Sequence, residues 1–409
     1  MVGGGASGMF AAGRAAECGA HVLLLEKTPR LGNKLRLTGK GRCNLTNQTS
    51  LADFVSHFGP QGRFLYSAFS RFFAADLLDW LANRGVSTVV ERGHRVFPAS
   101  GDANEIVAAL EGYLLTNGVQ VERQRPADKL LIASGQVTGV EAKHQAIPAA
   151  AVVLATGGAS YPRTGSTGDG YRLAAQAGHT IVDVRPALVP LLTEEPWVPP
   201  LQGLSLRNVR VTLLSNNKPI ADDFGDLLFT HFGVSGPTVL ALSRRAIVAL
   251  EDGSVQLAIC LKPGLTVQEL DERLLHELRT ASRKQISSIL ATLLPERLVS
   301  TFLHLLSIVP NKPGHQITVD ERRRLAGMLQ DLRITVIGSR PLSEAIVTAG
   351  GVDTREIDPR TLESRLVRGL FFCGEVIDID ADTGGYNLQA AFSTGYLAGE
   401  SAARSVKCP

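Results

Sequence analysis

Cysteine is scarce and scattered in this chain. The 409 residues hold five, Cys18, Cys43, Cys260, Cys373 and Cys408, with no CxxC pair among them. That excludes a disulfide framework and an adjacent-dithiol reductase, and it fits a reducing compartment. No charge of one sign dominates. The formal net charge is +3, which gives no reason to expect nucleic acid or an anionic membrane as the main partner. The one dense basic spot, Arg322-Arg323-Arg324, lies in a mixed-charge segment and reads as a solvated helix face. No apolar run reaches the ~20 residues of a membrane helix. The opening is glycine-rich rather than basic and then apolar, so no secretory signal is expected and a cytoplasmic location is. A length of 409 residues predicts two or three domains.

What is present begins at once. Gly3, Gly5 and Gly8 form a GxGxxG. A helical pattern follows to about Cys18, ended by Gly19, and His21–Glu26 reads as a buried parallel strand. Gly3 permits a tight turn, Gly5 lets backbone approach a pyrophosphate, and Gly8 lets the helix pack closely on the strand. The helix N-terminus offers free N–H groups to phosphate. Glu26 closes the second strand, where a carboxylate can accept ribose hydroxyls. Helix, strand and acid in register point to a dinucleotide site. Only Met1 and Val2 precede the glycines, so the first strand is expected to be stunted and the fold weakened. Four to six added apolar residues at the amino end are expected to raise the melting temperature.

Residues 32–47 form a glycine- and cation-rich loop in which Lys34, Lys40 and Arg42 can meet phosphate or flavin carbonyl groups, or can form a basic surface loop. Helices are predicted over Phe73–Leu81 and Asn104–Leu115, and short strands over Val86–Val90 and Val119–Glu122. Residues 151–158 form an apolar strand that runs into Thr156, Gly157 and Gly158, small enough for a close cofactor approach. A loop rich in glycine and small residues follows through Tyr161 to Gly170. Short alternating runs over 186–262 suggest a small β domain, and 266–330 carries four helical patterns. Near the carboxyl end, Leu370–Cys373 is a short strand leading to Gly374 and Glu375. Gly384-Gly385 then opens a final helix with Asn387 and Leu388 in its first turn. Its N-terminus can stabilise negative charge on a reduced flavin. Asp378, Asp380 and Asp382 have a calcium-loop spacing without the downstream glutamate, so no metal is expected.

The strings LTGKGRCNLTN, ATGGASYPRTGSTGDGY, FTHFGVSGP, VTAGGV and FFCGEVIDIDADTGGYNLQAAFSTG resemble the BaiN-like family of bacterial NAD(P)/FAD-dependent oxidoreductases, also called aminoacetone oxidase family enzymes. The resemblance runs from Gly3 to about Gly399. It implies an α/β fold: a glutathione-reductase-like FAD-binding Rossmann domain interrupted by an insert with a β-barrel-like part and a helical part. The expected boundaries are 1–186 and 346–409 for the FAD domain, 187–262 with 332–345 for the β part, and 263–331 for the helical part. It also implies FAD contacts at Gly3, Gly5, Ala6, Ser7, Gly8, Glu26, Lys34, Gly41, Arg42, Cys43, Asn44, Thr156, Gly157, Glu375, Asn387 and Leu388. The neighbouring Lys27, Gly158, Gly374 and Gly385 are counted with them. Lys40 departs from the family, which usually has glycine there.

Only one GxGxxG is present, so NAD(P)H is expected as a transient co-substrate at the open flavin face. Tyr161, His94 and Cys43 are the candidate reactive groups, each with a competing packing role. Three functions remain open: NAD(P)H-driven reduction of an enone-type small molecule, oxidation of a small amine with release of peroxide, and an FAD-dependent role on RNA. The charge balance weighs against the last.

Overall fold

The computed structural model describes residues 1–407; Cys408 lies outside the described residues. Two compact units emerge, one from Met1–Ala187 with the chain from Leu342 onward, the other from Leu188–Pro341.

The first unit is built on a parallel sheet. Leu23–Leu25 pairs with Gln120–Glu122 on one side, and Val152–Leu154 pairs with Leu370–Phe372 on the other. Val2 joins these halves, bridging in parallel to both Leu25 and Leu154. The first strand is thus present as a short central stub, held by bonds from Gly3 N to Leu25 O (2.8 Å) and Ala155 N to Val2 O (2.8 Å). The strands Val152–Leu154 and Leu370–Phe372 are wholly buried, as their unbroken apolar runs require.

Helix Ala6–Glu17 leaves the sheet and packs on the last helix, Tyr386–Lys407. A Cβ on Gly395 would sit 2.5 Å from Ser7 O, and one on Gly399 would sit 2.3 Å from Ala11 O. Two glycines one turn apart therefore let the helices touch backbone to backbone. The pairs also fix direction: the helices run parallel, and the last helix starts about eight residues further out. At 1.5 Å per residue its N-terminus projects about 12 Å beyond that of the first helix.

Three small antiparallel sheets complete this unit, and the first of them pairs Ile181–Ala187 with Val347–Val352. Of the other two, each has three strands. One joins Thr46–Asn47, Arg95–Pro98 and Thr88–Glu91. The other, Ala127–Ala133, Gln136–Ala142 and Gln145–Pro148, has no counterpart among the expectations from sequence.

The second unit is a closed six-stranded barrel with helices packed on it. Leu191–Thr193, Gly233–Ser235, Lys218–Phe229, Ser205–Ser215, Val255–Cys260 and Leu332–Ser339 follow one another round the barrel, and the last pairs back to the first. The four helices expected between 266 and 330 form at Val267–Thr280, Ile286–Leu290, Glu296–Leu305 and Val319–Gln330. Thr266 and Thr318 cap two of them with full capping boxes to Glu269 and Glu321. One segment departs from the β reading of 186–262. Pro237–Asp252 is a 16-residue helix with proline in its first turn and Gly253 at its end. Both are ordinary helix boundary signals; the strand-rich surroundings outweighed them.

Candidate functional site

The three motif glycines meet different surroundings. Gly3 has φ +103, and a Cβ there would lie 2.5 Å from Ala155 O. A Cβ on Gly8 would lie 1.9 Å from Gly3 O. These two serve the packing of turn, sheet and helix. A Cβ on Gly5 would meet nothing within 4 Å. Gly5 is also the N-cap of Ala6–Glu17, with no side-chain cap and no acidic residue in the first turn. The first-turn N–H groups at Ala6, Ser7 and Gly8 have no intrahelical partner, the positive dipole end lies behind them, and the space off the Gly5 Cα is open. That is the seat a pyrophosphate requires, and the residues present fit a dinucleotide such as FAD.

Glu26 stands beside this seat and is 8% exposed. Its Oε2 accepts from Gly4 N and its Oε1 from Thr28 N, each at 2.7 Å. The carboxylate thus ties the glycine turn to the second strand. Two of its roughly four acceptor sites remain for hydroxyl donors. Its neighbour Lys27 turns to Asp169 and Thr167, each 2.5 Å away.

A second polar group gathers residues far apart in sequence. Lys34 Nζ donates to Glu375 Oε2 (2.6 Å) and Ser160 Oγ (2.7 Å). Glu375 Oε1 accepts from Thr348 N (2.8 Å) and Ser160 Oγ (3.1 Å), while Thr348 Oγ1 accepts from Ala159 N (2.9 Å) and Ser160 N (3.0 Å). Gly158 belongs here too, since a Cβ there would press on Thr348 Oγ1 at 2.4 Å. Thr156 and Gly157 lead into this group from the sheet. Gly374 is held at φ +74, where a Cβ would meet Ser7 Oγ at 2.4 Å. Ser160 and Thr348 were not foreseen. The only signal for Thr348 was its place in the VTAGGV string.

The 39–44 loop is left-handed at Gly39, Lys40 and Gly41, with φ 57, 58 and 87. A run of this kind favours glycine, which accounts for the glycine usual at Lys40 in the resembled family. Arg42 is committed to Glu91 and stacks 4.3 Å over Phe97. Cys43 is fully buried, and burial pushes its thiol up to about 12; a thiol in that state is inert at neutral pH. Asn44, with its amide oxygen turned to Gly385 N (3.1 Å), holds the start of the last helix. There the Gly385 Cα abuts Thr46, where a Cβ would sit 2.5 Å from the Thr46 carbonyl. Asn387 stitches Ala381 through N (2.9 Å) and O (2.8 Å). Leu388 packs into the cluster around Phe10 and Phe392.

Of the three candidate reactive groups, His94 is exposed at the hairpin between Thr88–Glu91 and Arg95–Pro98. Tyr161 is half-buried at φ 51, and its carbonyl accepts from Thr164 N (2.8 Å). A constellation with no sequence signal stands instead beside the last helix. His57 Nδ1 lies 2.9 Å from Asp382 Oδ2, and its ring stacks on Tyr386 at 3.9 Å and 21°. Burial, with Asp382 and Asp53 nearby, pushes the Tyr386 hydroxyl up. The segment after His57 borders a cleft lined by Pro60, Gln61, Phe64, Val182, Arg355 and Asp378. Among the described residues, the one metal-like grouping of three side chains is Asp128, Glu141 and His144; residues 378–382 form none.

The profile of the HI0933-like protein Rossmann domain matches residues 1–401. The chain is 33% identical to the 3-dehydro-bile acid delta(4,6)-reductase of Clostridium scindens, over 98% of each chain. It is 32% identical to the ribosomal RNA dihydrouridine synthase of Escherichia coli, over 97% of this chain and 95% of that one. Among solved structures it resembles a flavocytochrome c3 fumarate reductase (TM-score 0.53, 17% identity, 99% of this chain and 77% of that). It also resembles the 3-ketosteroid-delta4-(5alpha)-dehydrogenase of Rhodococcus jostii RHA1 (TM-score 0.52, 16% identity, 98% and 95%). At these identities the structural likeness shows the fold alone.

Proposed function

Because this chain belongs to the HI0933-like family of FAD-dependent Rossmann enzymes, we propose that it reduces a C=C bond conjugated to a carbonyl, with NAD(P)H as the ultimate donor. The oxidoreductase class and the FAD follow from the family; the bond, the donor and the residue roles are this reading's own. One observation carries it. The two relatives named above act, by their names, on a bile acid and on uridine of ribosomal RNA. A dehydro bile acid enone and the uracil ring offer the same target, the electron-poor β-carbon of a C=C conjugated to a carbonyl.

Bound FAD would supply a hydride at N5. The chain would hold it in extended form. The Gly3–Gly8 turn takes the pyrophosphate on free N–H groups, and Glu26 takes the adenosine ribose. Lys34 and Glu375, paired at 2.6 Å, would face the ribityl side. The last helix, about 12 Å further out, would offer its positive end to negative charge on the bound flavin. The nicotinamide would meet the open face of the flavin, since the sequence holds only one GxGxxG.

The test is anaerobic. Purified protein is mixed with NADH or NADPH, and the flavin band near ~450 nm is followed on the seconds scale of enzyme turnover. Bleaching, followed by recovery on adding a steroid enone, supports the small-molecule reading. Recovery only with uridine-containing RNA, with salt-dependent affinity, supports the second reading, which the 32% and 31% identities to two ribosomal RNA dihydrouridine synthases favour. Peroxide from a small amine without nicotinamide would replace both by the oxidase.

A further inference from the structure

We propose that His57, oriented by Asp382, is the proton donor to the substrate α-carbon; this rests on the reductase reading. Reduction of a conjugated C=C needs a hydride at the β-carbon and a proton at the α-carbon. Two of the three groups suggested by sequence are poorly placed for the proton. The Cys43 thiol is sealed and held protonated by burial, and His94 sits at an exposed hairpin tip.

His57 differs in four ways. It lies against the opening turn of the last helix, stacked on Tyr386, the residue after Gly385. Its Nδ1 is 2.9 Å from Asp382 Oδ2, and Asp382 N donates back to the His57 carbonyl at 3.3 Å. A carboxylate on Nδ1 fixes the tautomer and leaves Nε2 as the working atom. No hydrogen bond to Nε2 exists among the described residues, and the side chain is 33% exposed, so a ligand can reach it. The groups facing this imidazole are Asp382 and Tyr386, with Asp53 acting through Tyr386. The neighbouring Asp378 is tied to Gln61 at 3.4 Å.

The step balances. Hydride joins the β-carbon, the π pair moves to the α-carbon and carbonyl as an enolate, and the enolate takes the proton from Nε2 of the imidazolium. Neutral His57 is then reprotonated from solvent. The oxidised cofactor is returned by reduced nicotinamide.

The experiment uses FAD-loaded wild type, His57→Gln and Asp382→Asn. Each is reduced by NAD(P)H and mixed anaerobically with 2-cyclohexen-1-one. Flavin reoxidation in His57→Gln is expected to slow ~10²–10⁴-fold, the usual contribution of a general acid, with flavin reduction within twofold of wild type. In Asp382→Asn the limb of the pH–rate profile set by the acid should move. Reoxidation by His57→Gln within threefold of wild type would overturn the proposal. A binding readout stands apart from activity. 4-Chlorophenol is titrated against the oxidised proteins from pH 5.5 to 8.5, following the charge-transfer band of phenolate on flavin. Its pH dependence in wild type should differ from that of His57→Gln, which keeps only the ionisation of the phenol itself. If wild type reduces no enone, the reductase reading fails while this titration still decides His57. An identical titration in both proteins, or no band in wild type, counts against it.

Discussion

Replacing Gly5 by aspartate is expected to stabilise the apoprotein and expel FAD in one step. Gly5 lies at φ −81 and ψ −171, extended backbone open to any residue, and its Cβ direction is empty. An aspartate there caps Ala6–Glu17 through the N–H of Ser7 or Gly8. The cap adds a few tenths of a kcal/mol over glycine, the dipole about 0.3–1 kcal/mol, and loss of glycine freedom in the unfolded chain about 0.4–1 kcal/mol. A net gain of about 1 kcal/mol raises the Tm of a domain this size by roughly 2–4 °C. The same carboxylate fills the anion seat. A second negative charge about 4 Å from a phosphate, at an effective dielectric near 20, costs about 4 kcal/mol, or roughly a thousandfold in Kd. The assay is paired: calorimetry of apoprotein stripped of flavin, and fluorescence titration with FAD. Gly5→Val should fold as wild type and also lose FAD, which separates blockage from charge. A Gly5→Asp protein with wild-type FAD affinity, or with an apo Tm below wild type, would refute the assignment of the seat.

Gly8→Ala should behave in the opposite sense, lowering the apo Tm by the equivalent of about 3 kcal/mol or more, because its Cβ collides with the Gly3 carbonyl; calorimetry reads this directly. Glu26→Ala should weaken FAD retention on gentle purification and also cost about 1–3 kcal/mol, since Gly4 and Thr28 lose their acceptor; full flavin occupancy would contradict the ribose role. Lys34→Met should lower both FAD affinity and Tm, because it removes the cation from the Glu375 carboxylate and leaves Oε2 without its donor. A pH scan tests His179, whose side chain is sealed between Ser364 Oγ (2.7 Å) and Glu356 Oε2 (3.2 Å). Burial, only partly opposed by Glu356, holds its pKa below the ordinary 6.5. The unfolded chain therefore binds more protons just below pH 6.5. Stability is full above that pH and falls as the pH drops through the window. Glu356, held low despite burial by bonds from Thr180 and His179, adds a further loss below about pH 4.5. Tm measured from pH 7.5 to 5.5 should fall in wild type and stay flatter in His179→Gln.

The parts legible from sequence were those written as local pattern. Gly3–Gly8, the helix after it and Glu26 follow the spacing of a strand–turn–helix–strand unit, and the amphipathic helices of 266–330 announce themselves by period and caps. The barrel was visible only as alternating runs. Its closure depends on pairing Leu191–Thr193 with Leu332–Ser339, more than a hundred residues apart, which no local signal encodes. The 127–148 sheet was missed because its strands mix polar and small residues, and two of its five buried core positions, Ala127 and Ala142, are alanines beside Leu130, Val137 and Val140. The Lys34, Ser160, Thr348 and Glu375 group shows the same limit within the site. Each side chain is an unremarkable polar residue until the sheet brings four segments together. His57 carries no motif at all, and only the stack on Tyr386 reveals it.

The way the barrel unit is spliced into the chain has an engineering consequence. The host strands on either side are already hydrogen-bond partners, Ala187 with Val347, and the guest opens and closes on partners as well, Leu191 with Ser339. The splice is thus a pair of adjacent cut ends on both sides. Removing 188–341 and joining Ala187 to Val347 through the short remaining segment would turn the two host strands into an ordinary hairpin, with little loop-closure entropy to overcome. The excised barrel could be circularised across its own neighbouring ends. Host and guest are thus joined at two neighbouring points, where the chain can be cut and rejoined on either side.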